Sequence, residues 1–342
     1  DSTMTDMGAY YFHQNTGPQL VDIFYAEDWN LVGLPVDVED TSYNNIFPDA
    51  IEETLFSFDD GYTLEESLVP GVGYWLRFPE DGVVSVEGTL FGETSVAVIE
   101  GWNLMSGISG MAYPTDIIDP DGILIENTFY GFNGSYFQTD YLTPGLGFWV
   151  RANSDGTVYL SGTRQSTKVS SDMDMNISDS DKLVFSNSKG YVATLLVGGS
   201  MVNKDPLSYS LPPVPPPGAF DVRFSGDLKY SENGGEILIR NDHYPLTVHY
   251  EGTSLNEEEV EWVLVNTGSG EEFVMCEGEV VIHSSVSELL LTKRTIFPND
   301  FILHQNFPNP FNPTTTLHFN LPENKFVTII IYSILGKQIK VL

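Results

Sequence analysis

One segment of the chain is duplicated, and this repetition constrains the fold more than any other feature of the sequence. Each copy carries a Trp-Asn-Leu start, a Pro-Gly-x-Gly turn and a strand with the pattern aromatic-Trp-aliphatic-Arg. These segments lie at 29–31, 70–73 and 74–77 in the first copy and at 102–104, 144–147 and 148–151 in the second. Matching residues are 74 positions apart over 56–88 and 73 apart at the first Trp, so the second copy contains one inserted residue. Because a duplicated segment folds into similar units, we expect β-repeats over 18–90 and 91–163 that pack as a pseudo-symmetric pair.

The composition favours an all-β fold. Tyr, Phe, Val and Thr are plentiful, Gly and Pro recur at short intervals, and helical periodicity is rare. Pro70 and the glycines that follow it suit a tight turn. Asp81-Gly82 predicts a hairpin between the strand 74–77 and the strand 83–86. We therefore expect a tandem pair of small β-modules, then an antiparallel β-sandwich, then a further, partial β-domain.

The tryptophans of the repeats leave two interpretations open. Side chains alternate along a strand, so the first and third residues of 74–77 face the core. Trp75 and Arg77 then face the other side as a half-exposed pair, with the guanidinium over the indole. Trp149 and Arg151 repeat this pattern in the second copy. In one interpretation the repeated tryptophans, Trp29, Trp75, Trp102 and Trp149, are anchors of the core or of the contact between the repeats. In the other, Trp75, Arg77, Trp149 and Arg151 stack on a polysaccharide.

The middle of the chain reads as a linker followed by a sandwich. Residues 164–181 are rich in Ser and Asp and predict an acidic linker. A calcium loop starting at Asp172 would need Gly and Glu where Ile177 and Leu183 stand, so Ca²⁺ is only a weak alternative. Eight short strand patterns over 182–295 predict a β-sandwich. Five prolines within 212–217 predict a polyproline II segment that crosses between the sheets, with a ligand for a proline-reading domain as the alternative.

Charge and motifs restrict the function classes. The formal net charge of −33 excludes nucleic acid and anionic lipid as partners, and it favours solubility in salty surroundings over divalent-cation binding. No apolar run reaches the length of a membrane span. A single cysteine, Cys276, excludes an internal disulfide. The six histidines are scattered, and no nucleophile, phosphate or dinucleotide motif is present. We predict no catalytic residue, no metal-binding residue and no cofactor.

The chain closes with an Asn-Pro cluster, alternating strand residues, a Leu-Gly turn and a basic strand. Each proline fixes φ and biases its predecessor toward extended backbone. This tail resembles the start of the C-terminal (type A) sorting domain of type IX secretion substrates. The residues that carry the resemblance are Leu303, Gln305, Asn306, Phe307, Pro308, Asn309, Pro310, Phe311, Asn312, Pro313, Thr314, Thr315, Phe319, Leu321, Pro322, Tyr332, Leu335 and Gly336.

The resemblance implies a partial Ig-like β sorting domain at 296–342. It also implies a secreted or outer-membrane surface-attached protein that passes through the periplasm, with the outer-membrane secretion machinery as its partner. The sorting residues would be Gln305, Asn306, Pro308, Asn309, Pro310, Phe311, Asn312, Pro313, Thr314 and Gly336.

The first residues carry a second, shorter resemblance. Asp6-Met7-Gly8-Ala9-Tyr10 is similar to the last coil of right-handed parallel β-helix proteins. It implies that 1–17 is the tail of an upstream β-helix-like domain, and we expect both chain ends to be fragment ends. The function that we expect is therefore a non-catalytic, C-terminal region of a secreted bacterial protein. The alternative is a carbohydrate-binding accessory region of a polysaccharide-degrading enzyme whose catalytic domain lies upstream.

Overall fold

The computed structural model describes residues 17–161, 180–199, 205–252, 260–275, 279–295, 300–323 and 325–342. About half of the residues (49%) are in β-strands and only 4% are helical, which confirms the predicted all-β class. The predicted β-helix tail, most of the predicted linker with its acidic residues, and Cys276 lie outside the described residues.

The first repeat is built from six strands and one helical turn. The elements are β1 (Gln19–Tyr25), β2 (Asp28–Gly33), α1 (Tyr43–Ile46), β3 (Phe56–Phe58), β4 (Tyr62–Leu64), β5 (Gly73–Phe78) and β6 (Gly82–Gly88). Strands β2, β5, β3 and β4 form one antiparallel sheet, and β1 pairs with β6 in a second. The two sheets enclose a core that includes Ile23, Leu34, Phe47, Leu76 and Phe78.

The second repeat has the same arrangement with one additional short strand. The elements are β7 (Glu93–Val98), β8 (Gly101–Ser106), a 3₁₀ turn (Pro114–Asp116), β9 (Ile117–Ile118), β10 (Tyr130–Phe132), β11 (Tyr136–Gln138), β12 (Gly147–Ala152) and β13 (Gly156–Ser161). The sheet order is β11-β10-β12-β8 in one sheet and β7-β13-β9 in the other. Strand pairs therefore recur at the spacing that the sequence repeats show.

The connection at Asp81-Gly82 differs from the hairpin predicted for it. Strand β6 leaves the sheet of β5 and pairs with β1 in the other sheet, so the turn is a corner between sheets. The Asp81 carboxylate accepts a hydrogen bond from the backbone N–H of Glu27 at 2.7 Å, and Asp155 accepts one from Glu100 at 2.8 Å. This repeated bond joins the corner to the β1–β2 turn, which a hairpin would not require.

The two repeats contact each other by reciprocal pairs. Val32 of the first repeat pairs with Leu146 of the second in an isolated antiparallel bridge. Met105, the counterpart of Val32, pairs with Val72, the counterpart of Leu146. Such an exchange of partners is the pattern of a two-fold interface.

Backbone hydrogen bonds follow the same exchange. The Gly33 N–H donates to the Gly145 carbonyl at 2.9 Å, and the Ser106 N–H donates to the Gly71 carbonyl at 3.0 Å. Gly71 and Gly145 have φ of +83° and +78°, a conformation that glycine adopts without strain. The Pro-Gly-x-Gly turns therefore carry the acceptors that join the repeats.

The following unit is a β-sandwich of two five-stranded sheets. Its strands are β14 (Asp181–Ser186), β15 (Val192–Val197), β16 (Asp221–Phe224), β17 (Tyr230–Ser231), β18 (Gly235–Arg240), β19 (Leu246–Glu251), β20 (Val260–Asn266), β21 (Glu272–Met275), β22 (Glu279–Ile282) and β23 (Glu288–Thr295), with a 3₁₀ turn at Pro206–Tyr209. The sheet orders are β17-β15-β14-β19-β22 and β16-β18-β23-β20-β21. The core between them includes Phe185, Leu195, Ile237, Val248 and Leu264.

The sandwich begins at Asp181, one residue before the predicted boundary. Asp181 is buried and accepts hydrogen bonds from the Tyr250 hydroxyl at 2.7 Å and the Trp262 indole at 3.2 Å. It is therefore part of the sandwich and not of an acidic linker. The proline-rich residues connect β15 to β16, which lie in different sheets, as the sequence predicts.

The tail forms two small hairpins. Strand β24 (Ile302–Leu303) pairs with β25 (Phe319–Asn320), and β26 (Ile330–Tyr332) pairs with β27 (Gln338–Val341). The predicted Leu-Gly turn joins β26 to β27, where Gly336 has φ of +77°. In the described part of the chain, no helix has the length and apolar character needed to cross a membrane.

Candidate functional site

The two repeats share a cluster of aromatic side chains, which we call the aromatic interface. Its members are Trp29, Phe56, Phe58, Tyr62, Trp75, Trp102, Tyr130, Phe132, Tyr136 and Trp149. The ring of Trp75 meets that of Phe132 edge-on, with centroids 4.7 Å apart. The ring of Trp149 meets that of Phe58 in the same way at 4.9 Å. Each repeat therefore closes over the central tryptophan of the other.

The expectation that Trp75 and Trp149 are half-exposed is wrong, because both side chains are 0% exposed. Alternation gave their direction correctly, since Tyr74 and Leu76 lie in the core of the first repeat and Trp75 faces away from it. The far side of the sheet is buried too, against the other repeat and against residues from 211 to 219. A polysaccharide therefore has no access to either indole while the repeats are packed.

The two arginines stack on different indoles from those expected. The Cζ atom of Arg77 lies 5.9 Å from the ring centre of Trp29, and that of Arg151 lies 5.8 Å from Trp102. Trp29 is the cross-strand neighbour of Arg77 in the β2–β5 pair, and Trp102 is that of Arg151 in the β8–β12 pair. Trp75 and Arg77 share a face of β5 but lie two residues apart, roughly 6.5–7 Å along the strand. Directly opposed residues on neighbouring strands are closer, at about 4.5–5.5 Å, so each arginine stacks on the indole across from it.

Residues 211–217, which we call the proline segment, lie on the aromatic interface. Leu211, Pro212, Pro215 and Pro216 are buried, and the following Ala219 belongs to the same cluster. Three aromatic donors reach carbonyls along the segment. The bonds run from the Tyr136 hydroxyl to the Pro213 carbonyl (2.7 Å), from the Tyr62 hydroxyl to the Val214 carbonyl (2.8 Å) and from the Trp29 indole N–H to the Pro217 carbonyl (3.1 Å).

The two tyrosines are equivalent residues of the two repeats. Tyr62 and Tyr136 are 74 positions apart and lie at the starts of β4 and β11. Burial raises the pKa of Tyr62 to about 12 and raises the pKa of Tyr136 well above its ordinary range. Both hydroxyls therefore keep their protons, and remain donors, across the physiological pH range.

A buried ion pair fixes the start of the proline segment to the sandwich. Arg223 is 1% exposed and donates two hydrogen bonds to Asp221, at 2.6 and 2.7 Å. It also donates to the Pro212 carbonyl at 2.8 Å and to Asp227 at 2.9 Å. The Leu211 N–H donates to the Asp227 carbonyl at 2.7 Å. These bonds hold the segment in place from the sandwich side while the aromatic donors hold it from the repeat side.

Lys229 is a buried cation at the contact between the sandwich and the second repeat. Its Nζ lies 4.9 Å from the ring centre of Tyr130, and its side chain is 6% exposed. Within the described residues, Lys229 forms no ion pair. Burial lowers its pKa to about 7. The aromatic ring supplies part of the stabilisation that the ammonium loses on leaving water.

The Asn-Pro cluster of the tail forms the tip of a hairpin. Phe307 and Thr316 exchange two backbone hydrogen bonds, at 3.1 and 2.9 Å, and so extend the β24–β25 pair to the cluster. The Asn306 amide donates to the Thr315 hydroxyl at 2.9 Å, and that hydroxyl donates to the Pro308 carbonyl at 2.9 Å. The loop is thus closed by residues on both of its sides that carry the resemblance to the sorting family.

Most sorting residues predicted from the resemblance are exposed on this tip. The exposed ones are Gln305, Pro308, Asn309, Pro310, Phe311, Asn312, Pro313 and Thr314, and Asn306 is half-buried. Gly336 is exposed in the separate β26–β27 turn, so the structure does not bring it to the same place.

Other candidate sites are sparse in the described ranges. A groove of about 420 Å³ between the repeats is lined mainly by apolar side chains such as Phe24, Phe132 and Leu146. Its one carboxylate, Asp81, already accepts the Glu27 N–H. Within the residues that the structure describes, no group of three or more His, Cys, Asp and Glu side chains could hold a metal ion.

No protein-family model, curated protein or solved structure matches this chain. Sequence reasoning identified the tryptophans and the proline segment separately but missed their contact. The repeated positions of Tyr62 and Tyr136 were the available signal, because a tyrosine recurs 74 positions apart, at the start of β4 and of β11.

Proposed function

We propose that this chain is a non-catalytic region of a secreted or cell-surface bacterial protein, and that its tail is a sorting signal for type IX secretion. The β-repeats and the sandwich act as a folded spacer, and the outer-membrane machinery reads the tail. The observation that carries this proposal is the long ordered match of the tail to the sorting family, from Leu303 to Gly336.

The geometry of the tail supports recognition by another protein. The Asn-Pro cluster is presented at a closed hairpin tip, and the apolar side chains around it are largely exposed. Phe307 is 75% exposed and Phe311 is 58% exposed, and in the separate β26–β27 turn Leu335 is 90% exposed. Apolar surface of this kind is a common mark of protein–protein contact sites. Strand pairing in the described tail is confined to its own two hairpins, which leaves its edges open to a partner.

The rest of the chain supports a spacer better than an enzyme. The buried Arg223 bonds to Asp221 and to the Pro212 carbonyl, and the partly buried tyrosines at 62 and 136 donate to carbonyls of the proline segment. They stabilise a contact between units and do not line an open cleft that a substrate could enter.

Export of a reporter tests the proposal. A periplasm-targeted fluorescent protein would carry residues 1–342 at its C-terminus, with whatever the native gene encodes after Leu342, in cells with and without the secretion machinery. We expect surface or extracellular reporter only in cells that have the machinery. Replacing Asn309, Pro310 and Asn312 by alanine should strongly reduce it, whereas Lys340→Gln, an exposed change outside the matched residues, should not. Equal export after removal of residues 300–342 would contradict the proposal.

A further inference from the structure

We propose that the aromatic interface is a binding site for extended, proline-rich peptides, and that the proline segment occupies it in cis. The repeat pair would then bind a proline-rich peptide of similar pattern from another molecule once its own segment is displaced. This inference is independent of the sorting tail.

The donors match what a proline-rich backbone offers. Proline has no N–H, so a polyproline II segment displays unpaired carbonyls and flat pyrrolidine rings. Proline-reading domains bind such segments with aromatic rings and with hydroxyl or indole donors. Tyr136, Tyr62 and Trp29 supply those donors to the segment at 2.7, 2.8 and 3.1 Å.

The rings that carry the donors are held in place by the repeats. Tyr62 packs edge-on against Phe58 with centroids 5.4 Å apart, and Tyr136 packs edge-on against Phe132 at 5.5 Å. Phe58 and Phe132 in turn pack on the central tryptophans. The two hydroxyls are therefore positioned by contacts within the repeat pair, so the site does not depend on the segment for its shape.

The position of the proline segment in the chain also favours a relation of ligand to binding site. The segment lies 152 residues after Tyr62 and 77 after Tyr136 in the chain. Its two ends are fixed in the sandwich, by the Leu211–Asp227 bond and by strand β16. A segment that is already ordered loses little entropy on binding, and tethering gives it an effective concentration in the millimolar range. An external peptide must therefore compete with it.

The test uses the full chain with its own segment weakened. The variant Pro212→Ser/Pro215→Ser/Pro216→Ser would be titrated with the synthetic peptide SLPPVPPPGAF, which is residues 210–220. Binding would be followed by tryptophan fluorescence, because four of the five tryptophans belong to the interface. We expect saturable binding by the variant and at least roughly tenfold weaker binding by the native chain, whose site is occupied.

Two controls make the result specific. The peptide SLAAVAAAGAF should bind at least about tenfold more weakly, because it lacks the preformed extended backbone. Adding Tyr62→Phe and Tyr136→Phe to the variant should weaken binding by roughly tenfold, since two hydrogen bonds are lost. Adding Tyr159→Phe, an exposed tyrosine of β13, should leave it unchanged.

A variant that is folded by circular dichroism but does not bind the native peptide at millimolar concentration would overturn the proposal, as would equal binding of both peptides. If the proline variant does not fold, the double change Tyr62→Phe/Tyr136→Phe in the otherwise native chain gives a second test. We then expect the amides of Leu211 and Ala219, both hydrogen-bonded in the native chain, to exchange with deuterium at least about tenfold faster than in Tyr159→Phe. Unchanged exchange would show that the donors do not hold the segment and would refute the site.

Discussion

Replacing Lys229 by methionine should stabilise the protein, although it removes a cation that contacts an aromatic ring. Burial lowers the lysine pKa from an ordinary 10.5 to about 7. Each tenfold change in an equilibrium constant corresponds to about 1.4 kcal/mol, so keeping this ammonium in the folded state costs on the order of 4 kcal/mol at pH 7. Methionine has a similar length and needs no water, so we expect a gain of about 2–4 kcal/mol at pH 7.

The gain should depend on pH with a defined sign. Between pH 7 and about 10 the unfolded lysine binds a proton that the folded one does not. The free energy of unfolding of the native chain therefore rises with pH in this window, relative to that of Lys229→Met. The advantage of the variant should shrink steadily from pH 7 to pH 10. Above pH 10 the tyrosines with raised pKa values begin to titrate in the unfolded state only, and this loss of stability is common to both proteins.

Denaturant unfolding at pH 7, 8, 9 and 10, followed by tryptophan fluorescence, measures the effect. Lys182→Met is the matched control, because Lys182 is exposed on β14 and its loss should change stability by less than about 0.5 kcal/mol. Destabilisation by Lys229→Met, or a gain that does not change with pH, would refute the argument that desolvation of this amine dominates.

Two further changes test the contacts between units. Gly73→Ala should destabilise the protein by about 2–4 kcal/mol in denaturant unfolding, because a Cβ there would lie 2.4 Å from the Met105 backbone carbonyl. Gly61→Ala should have little effect, because a Cβ there would have no atom within 4 Å. Equal losses of stability in the two variants would contradict this. Arg223→Met should cost about 3–5 kcal/mol because it leaves the buried Asp221 carboxylate unpaired, and a loss below about 1 kcal/mol in the same measurement would contradict this.

Local patterns in the sequence predicted the strands and their faces but not what covers them. The alternation in the strand 74–77 correctly separates Leu76 from Trp75. It could not show that the Trp75 face is buried, because the cover comes from the other repeat and from residues more than 130 positions later in the chain. A strand that is buried on both faces and a strand with one half-exposed face show the same alternation when aromatic residues occupy the second face.

The prediction of a hairpin at Asp81-Gly82 was wrong for a related reason. An Asp-Gly pair specifies a tight change of direction but not the strand that pairs afterwards. Strand β6 pairs with β1, which lies about 60 residues earlier, and the deciding contact is the bond from Glu27 to Asp81. The proline segment was predicted as a connection between sheets, which it is. Its contact with the aromatic interface depends on Tyr62 and Tyr136, which lie far away in the sequence. No spacing rule relates these tyrosines to the proline segment.

The proline segment runs in one direction across a pair of nearly identical repeats, so the two repeats make different contacts with it. Only one of the two matching indoles, Trp29, is bonded to the peptide, whereas no such bond is found for Trp102 among the described residues. Asp28 beside the first arginine has become Gly101 in the other half. At positions where only one repeat makes such a contact, the sequence of the other repeat is free to change. A chimera assembled from two first halves would consequently not reproduce the native protein, however well each half folded.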